Sequence, residues 1–131
     1  MTTLQVLADQ LRAEETPIAA HVIDPTEPSE LGELAGGGEH ALVIEAVREG
    51  YLIHYEQPRL LAGHDPDLAL LAGDYLYALG LDRLAALGDT RAVAILSDLI
   101  SACARLQAEE DTGSISELWR EAAKQIAAGP R

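Results

Sequence analysis

The chain has 131 residues, with 22 acidic against 9 basic side chains and a formal net charge of −13. That charge repels phosphate backbones, which excludes nucleic acid as an expected partner, and the length suits one domain with one modest core. Hydrophobic residues make up 48 %, but Ala and Leu carry that share and Phe is absent, so helices packed through aliphatic side chains are expected.

Thr2 and Gln5 fit a capping box, and Leu4, Leu7 and Leu11 share one face. This predicts a first helix from Thr3 to Glu15, ended by Thr16-Pro17. His21 to Gly38 carries Pro25, Pro28 and Gly36-Gly37-Gly38 and reads as loop, with one helical turn at Ser29 to Leu34. A second helix is predicted from Glu39 to Gln57, stopped by Pro58. Val43, Val47, Tyr51 and Tyr55 recur every fourth residue on it, whereas Glu45, Arg48 and Glu49 are expected to face water. Gly50 inside this helix costs about 1 kcal/mol relative to Ala, which a closely approaching helix would explain.

Arg59 to Pro66 reads as a connector, and His64-Asp65-Pro66-Asp67 opens the next helix. From Leu68 to Leu87 nearly every position is apolar or small, and Asp67, Asp74 and Asp82 lie within one narrow stripe. Such a helix is expected to organise the fold and to be covered on most sides, partly by a second subunit. Its glycines and aspartates make it too polar to span a membrane. Asp89 or Thr90 then caps a helix with the stripe Val93, Leu96, Leu99 or Ile100, Cys103 and Leu106. Ser114 and Glu117 fit a capping box for the last helix, which Gly129-Pro130 ends. The class is all-α, a single domain with a bundle of about five helices.

The residues alone point to little chemistry. Cys103 permits no disulfide and reads as a small buried apolar side chain. No basic region followed by an apolar core opens the chain, so a cytoplasmic protein without a secretion signal is expected. Gly36-Gly37-Gly38 lacks the preceding strand and Lys-Ser/Thr pair of a phosphate loop and reads as a turn. His54, Glu56, His64, Asp65 and Asp67 match no metal-ligand spacing, and no nucleophile has an evident base, so no catalytic residue and no metal ligand is assigned.

Two segments resemble a known family. Tyr51-Leu-Ile-His-Tyr-Glu56 is similar to the Leu-Ile-His-Asp-Asp stretch of (E)-prenyl diphosphate synthases. Leu71-Ala-Gly-Asp-Tyr-Leu-Tyr-Ala78 and Leu84-Ala-Ala-Leu-Gly-Asp89 resemble that family's Leu-Ala-Gly-Asp-Tyr-Leu helix and its continuation. Ser116-Glu-Leu-Trp119 and Lys124 are more weakly similar to its later Lys-Thr helix, so the likeness spans residues 39 to 128, with 1 to 38 a helix and an irregular Pro/Gly-rich segment. In the family, Asp-Asp-x-x-Asp holds Mg²⁺ against the diphosphate; here Tyr55-Glu56-Gln57-Pro58-Arg59 stands there and lacks the oxygen ligands. The arginine pair that follows in the family is missing, and the sequence stops at Arg131, before the family's second Asp-rich motif.

The resemblance thus implies the N-terminal half of the isoprenoid synthase fold in a truncated, non-catalytic relative. That pattern is similar to the small regulatory subunit, component I, of two-component medium- and long-chain prenyl diphosphate synthases in isoprenoid biosynthesis. Such a chain would bind a catalytic prenyltransferase subunit as a heterodimer, help to set product length, and leave Mg²⁺ and all cofactor binding to that partner. It implies Leu71, Tyr75, Tyr77, Ala78 and Leu79 as interface contacts, with Ala72, Gly73 and Gly80 allowing close helix approach. Tyr51 and Tyr55 would stand at the product pocket, although Tyr51 also reads as ordinary core with a hydrogen-bonded hydroxyl. Two rival readings are a homodimeric helical module binding a lipid or other apolar ligand near Tyr51, and an enzyme using His54, His64 and Asp67 with a metal.

Overall fold

The computed structural model describes residues 2–129 and is all-α, with 6 α-helices and no strand among the described residues. They are α1 (Thr3–Ala13), α2 (Glu30–Leu34), α3 (Gly38–Tyr55), α4 (Pro66–Ala86), α5 (Thr90–Ala108) and α6 (Ile115–Ala128), with a 3-10 turn at Ala19–His21.

Three helix starts follow from residues at the start itself. Thr2 accepts from the Gln5 N–H at 3.1 Å, Asp65 from Leu68 at 2.8 Å and Asp89 from Ala92 at 3.0 Å. Each hydroxyl or carboxylate satisfies an N–H that the first turn leaves without a backbone partner. The capping boxes close only in part. The Gln5 amide turns to Asp9 and Asp24. Ser114 makes no capping bond, and Glu117 reaches Arg120 at 3.3 Å instead. Ser29, at the head of α2, bonds to a different helix: its hydroxyl accepts from the Leu4 N–H of α1 at 2.9 Å. Gly36, Gly37 and Gly38 all take positive φ and turn the chain from α2 into α3, a path that side chains resist. Of the Gly129-Pro130 stop, Gly129 caps α6 with positive φ, while Pro130 lies outside the described residues.

The organising helix is α3 rather than α4. Eleven of its eighteen residues are buried, against five of twenty-one on α4. One side of α3 packs with α2, α5 and α6 through Val43, Val47, Tyr51, Leu96, Cys103 and Trp119. The opposite side meets α1, α4 and the connectors through Leu4, Leu7, Leu11, Ala46, Ile53 and Leu76. The aliphatic positions read as helical stripes form these cores, and Cys103 is fully buried among them. The 21–23 and 60–62 segments join by a short antiparallel bridge, Ile23 N–H to Leu60 carbonyl at 2.8 Å and Ala62 N–H to His21 carbonyl at 3.0 Å.

Glycines set the α3–α4 crossing. A methyl group at Gly50 would lie 2.9 Å from the Gly73 carbonyl and 2.8 Å from the Tyr77 ring, and one at Gly80 would strike Val47. The close approach expected from Gly73 and Gly80 therefore operates within this chain, and Gly50 is the matching contact on α3. No helix among the described residues is long and apolar enough to cross a membrane.

Candidate functional site

The last turn of α3 and the segment after it hold the densest polar chemistry. Glu45 and Glu49 were expected to face water, yet both are fully buried. Arg59 explains this, because it folds back along α3 and pairs with both. Its Nε donates to Glu49 at 2.9 Å and its Nη1 donates to Glu45 at 3.0 Å. The second Glu49 oxygen accepts from the backbone N–H groups of Arg59 at 2.7 Å and Leu60 at 2.9 Å, while Glu45 accepts from the Gly32 N–H at 3.2 Å. Burial works against the guanidinium's charge, but the two carboxylates outweigh it and hold its pKa above the ordinary arginine value.

Tyr51 is a core residue, as its alternative reading had it. Its hydroxyl donates to Glu56 at 2.7 Å and accepts from the Gln107 amide at 2.8 Å. Its ring lies 5.6 Å from Trp119 and 5.3 Å from Tyr55. Burial, reinforced by Glu56, pushes the phenol up to about 12. Tyr55 is 43 % exposed. The Tyr55–Arg59 run is thus divided among a surface ring, a carboxylate engaged by Tyr51 and an internal guanidinium clamp.

Beside this run a cleft of about 400 Å³ opens between α2, α3 and α6. Arg48, Arg59 and Arg120 line it, facing Glu27, Glu30 and Glu56 across a floor of Leu31, Leu52 and Trp119. Arg48 stacks its guanidinium on two rings, 5.4 Å from the Tyr51 centroid and 5.2 Å from Trp119. It too was expected to face water, but burial holds its pKa below the usual value.

The outer face of α4 presents apolar side chains to solvent. Leu70 is 60 % exposed and Leu71 51 %, with Ala78 beside them and Asp67, Asp74 and Asp82 along the same stripe. Of the five interface candidates, Leu71 and Ala78 lie on this open face. Tyr75 and Leu79 are half-buried against the α1 side of the core, and Tyr77 packs on the α5 side and against Gly50. Tyr77 also sits 5.4 Å from the His54 ring, and burial raises its phenol pKa. Leu70, the most exposed large apolar side chain on this face, was passed over by the motif-based reading; its place one turn from Asp67 and Asp74 was the available signal.

The remaining polar candidates do not converge. His54 Nε2 approaches Asp74 at 3.2 Å, Asp65 caps α4, and Asp67 is exposed. Among the described residues no group of three or more His, Cys, Asp or Glu is arranged to hold a metal ion. Burial, its largest influence, raises the Cys103 thiol pKa, so the thiol stays protonated and a poor nucleophile. Comparisons with protein-family models, with curated proteins and with solved structures returned no match to this chain.

Proposed function

We propose that this chain is a non-catalytic accessory subunit that docks on a catalytic trans-prenyltransferase and helps to set the length of its polyprenyl diphosphate product. The observation that carries the reading is the open apolar face of α4, where Leu70 and Leu71 stand 60 % and 51 % exposed on a helix whose opposite side packs into the core. Large apolar side chains grouped on one exposed face mark a protein contact. That face lies on the segment that resembles the synthase family's Leu-Ala-Gly-Asp-Tyr-Leu helix.

The fate of the degenerate motif supports the same reading. Glu56 is engaged by Tyr51, and Arg59 is bound by Glu45 and Glu49. A guanidinium at such a position repels a divalent cation rather than ligating it. Mg²⁺ and the diphosphate therefore belong to the partner, and the working species is a cytoplasmic heterodimer. The rival reading, a homodimeric module with an apolar ligand beside Tyr51, draws less support because the cleft nearest Tyr51 is lined by charged groups.

The test is co-expression with a trans-prenyltransferase from the same source that carries both Asp-rich motifs. A defined hetero-complex by light scattering, together with a changed product length, is expected. Leu71→Glu should weaken that complex by about thirtyfold, as removal of an interface hot spot does, while circular dichroism of the free chain stays unchanged. A catalytic subunit whose size and product length ignore this chain defeats the proposal.

A further inference from the structure

Arg48 differs from every other arginine among the described residues. Arg12, Arg59, Arg83, Arg105 and Arg120 each hold a carboxylate within 4 Å, and Arg91 donates to the Gln125 carbonyl at 2.7 Å. Arg48 has neither kind of partner, and its Nη1 is shut off from solvent with no hydrogen-bond acceptor. A half-buried cation with no counter-charge in contact is costly, and two aromatic faces offset only part of that cost. Its nearest acidic influence, Glu56, acts at longer range and already accepts the Tyr51 hydroxyl.

The surroundings narrow the ligand that would complete Arg48. The cleft it lines, about 400 Å³, is the size of a small-molecule site. Leu31, Leu52 and Trp119 offer a hydrocarbon body somewhere to lie. The second and third arginines there, Arg59 and Arg120, are already matched by Glu45, Glu49, Glu30 and Glu117. Arg48 is thus the arginine of the cleft with no carboxylate in contact, while Glu27, Glu30 and Glu56 on the wall repel any anion carrying several charges. A guanidinium fork suits a carboxylate through paired N–H···O bonds, and with Nη1 closed off the pair would come from Nε and Nη2.

We propose that this cleft binds a small monocarboxylate, its carboxylate on Arg48 and its apolar body against Leu31, Leu52 and Trp119. The assignment stands apart from the α4 docking face, and neither depends on the other. It makes this chain a receptor for a singly charged organic acid.

Trp119 is the chain's one tryptophan and lines this cleft, so its fluorescence is a signal for binding there. Cyclohexanecarboxylate, which does not absorb where tryptophan does, is the probe. A saturable change in emission is expected, with affinity weakened about tenfold to a hundredfold in Arg48→Met. Cyclohexanecarboxamide, with the same shape and no charge, should bind at least as weakly to the wild type as the carboxylate does to Arg48→Met, and inorganic pyrophosphate should bind more weakly than the carboxylate. The amide comparison needs no variant, so the test survives if Arg48→Met fails to fold. A flat titration with the carboxylate, equal binding of the amide, tighter binding of pyrophosphate, or undiminished binding by a folded Arg48→Met overturns the assignment.

Discussion

At Glu49 one carboxylate joins α3 to the connector that follows it. It accepts the Arg59 side chain and the N–H groups of Arg59 and Leu60, and so fixes the connector that runs back along α3. Removing it leaves the Arg59 Nε and two backbone donors without an acceptor, while Glu45 still holds the guanidinium's charge. Glu49→Ala should therefore cost about 3–5 kcal/mol, since each buried donor left without an acceptor costs about 1–3 kcal/mol. Urea denaturation measures this directly. Adding Arg59→Leu to Glu49→Ala should cost stability again, because the buried Glu45 then loses its cation; a double variant as stable as the single one would refute this account. Two glutamates four residues apart ordinarily mark a solvated stripe, which is why their burial was hidden in the sequence. The available signal was their company: Ala41 and Leu52 flank Glu45 on one helix face, and an acid buried among apolar side chains requires a cation.

Among the elements, the α3–α4 crossing is fixed by what its glycines lack. Gly50→Ala removes a helix-propensity cost of about 1 kcal/mol but adds a methyl group against the Gly73 carbonyl. Backbone cannot swing aside as a side chain does, so the helices must part, at about 1–3 kcal/mol for an overpacked contact. A net loss in thermal stability is expected at Gly50, and a smaller one for Gly73→Ala, where the obstructing group is the rotatable His54 ring. Equal or raised stability in Gly50→Ala would show that the crossing is looser than its geometry. Helix number, class and most boundaries were legible because their signals lie within four residues of each other, as in the Thr2, Asp65 and Asp89 caps. Partnerships across the chain were not: Ser29 bonding to Leu4, Arg59 binding α3 and Arg48 lying between two rings have no local signature. For the same reason α4, the more apolar helix, read as the hub, whereas α3 holds the centre because it has core on both sides.

For the whole molecule, the charge on the α4 face bears on what can cover it. Asp67, Asp74 and Asp82 are exposed along the same stripe as Leu70, Leu71 and Ala78. A pair of identical chains meets by two-fold symmetry, so residue i of one faces residue j of the other and the reverse. Antiparallel α4 helices centred on this stripe set Asp74 near its own copy and Asp67 near the other chain's Asp82. Like charges brought together at an interface cost several kcal/mol, roughly, and the net charge of −13 adds repulsion at longer range. A partner with basic residues at the facing positions avoids both penalties. The isolated chain should therefore sediment as a monomer at low ionic strength. Salt at about 1 M shrinks the Debye length to about 3 Å, and Asp74→Asn with Asp82→Asn removes the contact repulsion; either change should shift the chain toward dimer by exposing the attraction between leucine-bearing faces. Adding Leu71→Glu should cancel that shift, which separates pairing through α4 from association elsewhere. A wild-type dimer at low salt that disperses as salt rises would reverse the sign of the argument, since it would mean that charge holds the faces together.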